Sequence, residues 1–142
     1  MQIKFKKLHP DAVAPKQGTP GSAGFDLTVC RPVEQISPAH IRCWSGIAVE
    51  IPKGHVGLLF PRSSICKKGL LLTNAVGVID SDYRGELMIA LHNHGASAQS
   101  VSPGERVAQL VVAPVLVADF VEAESLSDTV RAAGGFGSTG EK

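Results

Sequence analysis

Asn74-Ala-Val-Gly-Val-Ile-Asp-Ser-Asp-Tyr-Arg-Gly-Glu-Leu-Met-Ile-Ala-Leu91 is the stretch from which the fold is read. Two apolar runs, 75–79 and 87–91, flank the polar segment 80–85, a pattern that predicts a β-hairpin with a tight, charged tip. Asp80 follows Ile79 directly, so a carboxylate stands at the edge of an apolar wall, where partial desolvation suits a base. Tyr83 adds a ring and Arg84 a cation. Turns are rich in Asp and Gly for conformational reasons alone, so by itself the tip reads more readily as a solvated turn. The surrounding sequence changes that balance.

Gly and Pro (15 and 9) recur at intervals of about ten residues, and long apolar runs of period 3.6 are missing, which predicts an all-β barrel or sandwich with little helix. A length of 142 residues suits one domain that buries about two-thirds of its unfolded surface. A net charge of +1 and a pI near 7.8 provide no basic field for nucleic acid and no acidic tail, so a discrete small ligand is expected. The start, Met1-Gln-Ile-Lys-Phe-Lys-Lys-Leu8, has no signal-peptide core, and no segment approaches about eighteen uncharged apolar residues. The expectation is a soluble cytoplasmic protein without a membrane partner. Cys30, Cys43 and Cys66 form neither a C-x-x-C pair nor an even disulfide framework and read as reduced, mostly packing thiols.

Upstream of the central stretch, Ile3-Lys-Phe-Lys6 alternates as an edge strand does, and a Pro/Gly-rich loop over 14–22 leads into Ala23-Gly-Phe-Asp-Leu27. Asp26 points away from Phe25 and Leu27 in a period-2 strand, so the surface is its default and a site role needs partners. In Phe60-Pro-Arg-Ser-Ser-Ile-Cys-Lys-Lys-Gly69, Pro61 ends a strand, the serines can cap and Gly69 can stop a helix of one or two turns. Its free N–H groups, the hydroxyls of Ser63 and Ser64 and the Arg62 guanidinium make a candidate phosphate site. Alone, the segment reads more readily as an ordinary capped helix with a surface Arg.

Downstream, His92-Asn-His94 sets two imidazoles on one strand face, but with no third ligand nearby they read as solvent-facing. Gln109 interrupts the apolar run 106–114, and a buried amide there must bridge strands or hold a water or ligand edge. At the C-terminus, Gly135, Gly137 and Gly140 fit G-x-G-x-x-G without the required flanking strand and helix, and Glu141 stands where a Walker loop needs Lys. Such a tail is commonly floppy. Arg131 and Phe136 among free backbone N–H groups instead suggest a lid over an anion and a ring. The chain thus divides into a body, 1–130, and a Gly-rich lid, 131–142.

Five segments resemble, in order and spacing, the five motifs of the homotrimeric dUTPases (deoxyuridine triphosphate nucleotidohydrolases). They are Ala23-Gly-Phe-Asp-Leu, Pro61-Arg-Ser-Ser, Gly77-Val-Ile-Asp-Ser-Asp-Tyr-Arg-Gly-Glu, Gly104-Glu-Arg-Val-Ala-Gln-Leu and Arg131-Ala-Ala-Gly-Gly-Phe-Gly-Ser-Thr-Gly. Ala132 stands where that family usually has Gly, a departure expected to stiffen the lid.

The resemblance implies an all-β, jelly-roll-like β-barrel subunit with one short helix, three of which form a ring with sites between subunits and each lid over a neighbour's site. It implies Mg²⁺-assisted hydrolysis of dUTP to dUMP and pyrophosphate, which keeps uracil out of DNA and supplies dUMP for thymidylate synthesis. Asp80 would be the general base for the attacking water and Gln109 its second holder. Arg62, Ser63, Ser64, Arg131, Ser138 and Thr139 would bind phosphate. Asn74 with the backbone of Gly77, Val78 and Ile79 would read the uracil edge, Met88 would line the base pocket, Tyr83 would exclude a 2′-hydroxyl and Phe136 would stack on the base. Asp26 would meet the metal through water, with Mg²⁺ held mainly by substrate phosphates. Two other readings compete: a dCTP deaminase on a related fold, and a regulatory protein that keeps the pocket but acts by contacting a partner protein.

Overall fold

The computed structural model describes residues 1–95 and 97–135. In chain order the elements are β1 (Lys4–Lys7), β2 (Lys16–Gln17), β3 (Phe25–Thr28), β4 (Glu34–Ser37), β5 (His40–Trp44), β6 (Ile47–Glu50), β7 (His55–Pro61), α1 (Ser63–Cys66), β8 (Leu70–Leu72), β9 (Gly77–Ile79), β10 (Met88–Asn93) and β11 (Arg106–Pro114). The strands form three antiparallel sheets, β2-β3-β11-β7-β9, β4-β5-β10-β8 and β1-β6. The all-β expectation with one short helix holds, although the sheets do not close into one continuous barrel.

Alternation sets which faces meet. On β5, Ile41 and Cys43 are buried while His40, Arg42 and Trp44 face outward; on β10, Ile89 and Leu91 are fully buried while Met88 and Ala90 are exposed. The register pairs Ile89 with Cys43 and Leu91 with Ile41, so the apolar residues of the two strands share the inner face. They join Leu27, Leu59, Val107 and Leu110 from the larger sheet, with Val29 and Ile51 just past the ends of β3 and β6, in a single core. Each such side chain contributes about 1.5–3 kcal/mol on burial, and that inner layer fixes strand register. Burial pushes the Cys43 thiol up to about 12, with Glu105 adding to it, and Cys30 is also raised, mainly by burial. These two cysteines pack as expected; Cys66, on α1, is exposed.

The central stretch is not a hairpin. β9 pairs with β7 (Gly57 opposite Ile79), whereas β10 pairs with β5 and β8, so residues 80–87 cross from one sheet to the other. The helix is one turn, with Arg62 at its N-cap in extended conformation and no side chain capping it. Ser63 and Ser64 are exposed rather than spent on the cap, buried Ile65 pins the turn to the core, and Gly69 (φ +68°) ends the segment in the left-handed region.

Candidate active site

At the start of the crossover, Val78, Ile79, Asp80, Tyr83, Leu87 and Met88 line a cavity of about 140 Å³. Asp80 is exposed at its edge. Tyr83 folds back over the loop, its Oη donating to the Glu86 carbonyl at 3.0 Å. A Cβ on Gly85 would lie 2.4 Å from that Oη, so only glycine lets the ring lie there. Arg84 is spent locally, donating at 2.8 Å to the carbonyls of Ser81 and Tyr83. Gly77 is buried, and Asn74 sits in the turn before β9, where Ala75 holds φ at +59°. A non-glycine residue held there marks a backbone fixed by its surroundings.

The crossover is anchored by a residue the sequence reading left without a role. Glu86 receives both terminal nitrogens of Arg31 at 2.9 and 3.2 Å and the Gly46 backbone N–H at 2.7 Å. Arg31 in turn lies 4.4 Å from the centre of the Trp44 ring, and the Glu86 hydrogen bond holds the guanidinium above its usual range. Leu87 then donates its N–H to Ile47 at 2.8 Å, which locks the crossover onto β6.

A second cluster lies on β3 and β11, in the same five-stranded sheet as β9 but on the far side of β7. Asp26 is buried, and its two oxygens meet Arg62 Nε at 3.2 Å and Arg106 at 3.0 Å. The surface default for Asp26 is therefore overturned, because two guanidinium groups cover its face of β3. Gln109 pairs with Asp26 across the β3–β11 register and donates its amide to the Pro61 carbonyl at 3.3 Å, bridging strands. A Cβ on Gly24 would fall 2.5 Å from Gln109 Oε1, so the glycine of Ala23-Gly-Phe-Asp-Leu admits the glutamine side chain. Ser63 and Ser64 are exposed one and two residues beyond Arg62. Nearby, Glu105 is held below the usual carboxylate range, chiefly by Lys68, against the opposing effect of burial.

The two clusters do not converge within one chain. Gln109 lies opposite Phe60 of β7 and Ile79 opposite Gly57, with β9 and β11 on opposite sides of β7. Asp80, one residue further, is thus about 13 Å along the strand and about 10 Å across it from Gln109. Beyond β11 the chain runs on as an arm with Leu116, Phe120, Val121 and Val130 almost fully exposed. Arg131 lies in a turn at its end, bonded to the Gly134 carbonyl at 3.0 Å. Ala132 takes φ +42°, where an L-residue costs about 1 kcal/mol, so the departure from Gly strains this turn. Phe136, Ser138 and Thr139 lie outside the described residues. Among the described residues no group of three His, Cys, Asp or Glu side chains could hold a metal ion, and no helix is long and apolar enough to cross a membrane.

The fold and its two clusters define an all-β protein with a small cavity beside a carboxylate and, apart from it, a guanidinium and hydroxyl cluster. Comparison narrows that class. The family model described as dUTPase matches residues 11–140. The deoxyuridine 5'-triphosphate nucleotidohydrolase of Nautilia profundicola is 45% identical over 143 residues, covering 99% of this chain and 100% of that one. Among solved structures, a dUTPase of Staphylococcus bacteriophage 80alpha with dUpNHpp superposes with a TM-score of 0.81 at 27% identity, covering 98% of both chains. A dUTPase of phage phi11 of S. aureus, described with a structural Mg(II) ion, shares the fold at TM-score 0.77 and 22% identity over 90% of this chain and 100% of that one. The chain belongs to the dUTPase family.

Proposed function

We propose that the chain hydrolyses dUTP to dUMP and pyrophosphate, by water attack on the α-phosphorus, at sites shared between copies of a homotrimer. The observation that carries the shared site is the separation of Asp80 from Gln109 within one chain, too far for both to hold one water. A head-to-tail ring sets the Asp80 cavity of one copy beside the Arg62–Gln109 cluster of the next, and the apolar arm gives each copy a surface to lay on a neighbour.

In that arrangement Asp80 takes the proton of the attacking water and Gln109 holds the water in line. Arg62, with Ser63 and Ser64, meets the charge that develops on the phosphate oxygens, joined by Arg131, Ser138 and Thr139 of the lid. Asn74 and the backbone of Gly77, Val78 and Ile79 pair with the uracil edge, while Met88 closes the pocket and Phe136 stacks on the base. Tyr83, fixed against Glu86, blocks a 2′-hydroxyl. Asp26 supplies a hard oxygen near the phosphates, yet both its oxygens are already shared with arginines, which fits contact with Mg²⁺ through water and not a protein cage. Mg²⁺, when bound on the triphosphate, neutralises the leaving pyrophosphate.

Pyrophosphate release should be fast with dUTP and Mg²⁺, suppressed by a chelator, and far slower with dTTP, dCTP or UTP. Ammonia release from dCTP would identify a deaminase instead. Residues 131–142 act as the lid: truncation after Ala133 should leave the body folded by circular dichroism and cut kcat about 10²-fold or more, the scale of lost positioning. An unchanged kcat would reduce the segment to a tail.

A further inference from the structure

We propose that His40 and His92 form a two-imidazole site for a divalent transition-metal cation of the Zn²⁺ type, on the outer face of the β4-β5-β10-β8 sheet and separate from the nucleotide site. The two residues are direct partners across the antiparallel β5–β10 pair. Inward alternation of Ile41, Cys43, Ile89 and Leu91 leaves both histidines on the opposite face, half-buried. His40 Nε2 and His92 Nδ1 are 3.3 Å apart, with ring centroids at 4.8 Å and planes tilted by 50°.

That separation has a specific chemical fit. Zinc bound by imidazole at about 2.0–2.1 Å in a tetrahedron sets two ligand nitrogens about 3.3–3.4 Å apart. Without metal the same contact serves as a hydrogen bond between the rings, so a bound cation would take the place of the shared proton. The second nitrogen of His40 is also engaged: Nδ1 lies 2.9 Å from Ser37 Oγ, at the end of β4. With Nδ1–H donating to that hydroxyl, Nε2 turns its lone pair toward His92, the outer-shell arrangement that orients metal-binding histidines.

The site has two protein ligands and leaves the remaining positions to water; among the described residues no third His, Cys, Asp or Glu completes it. Imidazole nitrogen favours Zn²⁺, Ni²⁺ or Cu²⁺ over the hard cation Mg²⁺. His94, the neighbour that sequence spacing pairs with His92, lies past the end of β10 and is exposed; its backbone N–H bonds Gly69. An ion held by His40 and His92 ties β5 to β10 about 13 Å along the strand from Met88.

Calorimetric titration of ZnCl₂ into the full chain, in buffer saturated with Mg²⁺, should show one ion per chain. His40→Ala and His92→Ala should each weaken binding at least about tenfold, Ser37→Ala about tenfold, and His94→Ala not at all. In the unsubstituted protein, imidazole NMR signals of His40 and His92 should shift together with the same Zn²⁺ dependence, which removes reliance on the variants' folding. No saturable binding at millimolar Zn²⁺, binding that survives both His40→Ala and His92→Ala, or binding lost with His94→Ala would each overturn the assignment.

Discussion

Replacing Asp80 by Asn should leave nucleotide binding near wild type and lower kcat about 10²- to 10⁴-fold, the range a positioned general base contributes. Asn keeps the shape and one acceptor oxygen of the carboxylate but cannot take a proton from water. The substitution should do little to the fold: Asp80 is exposed at the rim of the cavity, and exposed sites of this kind change stability by about 0.5 kcal/mol or less. Loss of activity would therefore report chemistry and not unfolding. Equilibrium binding of dUpNHpp and single-turnover hydrolysis of dUTP separate the two effects, because the first reads the pocket and the second the proton transfer. Turnover within a few-fold of wild type would remove Asp80 from the base role.

The same crossover marks where the sequence was legible and where it was not. The spacing of Gly and Pro and the short apolar runs between them, 87–91 among these, were readable, and with them the all-β class. Partner choice was not: runs flanking a turn suggested a hairpin, yet β9 and β10 pair in different sheets, since strand pairing is decided by long-range packing that local pattern does not encode. Candidate residues in the five motifs could be named because motif order survives without knowledge of contacts. Glu86 and Arg106 stood inside those motifs with no assigned role, and Arg31 had no local signal at all, its partner being 55 positions away.

Arg106 was hidden for a geometric reason. Three positions separate it from Gln109, and in a regular strand an odd spacing sends side chains to opposite faces. The β11 register shifts between Arg106 and Ala108, so that Arg106 falls opposite Thr28 and Gln109 opposite Asp26. The extra residue returns Arg106 to the face of Asp26. Asp26 was read as surface because it alternates with Phe25 and Leu27, and strict alternation offered no sign that two arginines close over it.

Asp26→Asn should be the most damaging single change in that cluster. The buried carboxylate holds Arg62 and Arg106 at 3.2 and 3.0 Å, and an amide in its place leaves two guanidinium groups facing one another without a counter-charge. Full burial would make the loss about 3–5 kcal/mol. The arginine side chains are 26% and 46% exposed, so water screens part of it and about 1–3 kcal/mol is expected. Arg62 would also swing from its position beside Ser63, raising KM for dUTP as well as lowering stability. A double-mutant cycle isolates the cause: Arg106→Gln should cost clearly less in the Asp26→Asn background than alone, because the repulsion it relieves exists only there, with a coupling of about 0.5–3 kcal/mol. Strictly additive losses in urea denaturation would mean that the three side chains do not act as a unit, and that Arg62 is positioned by α1 alone.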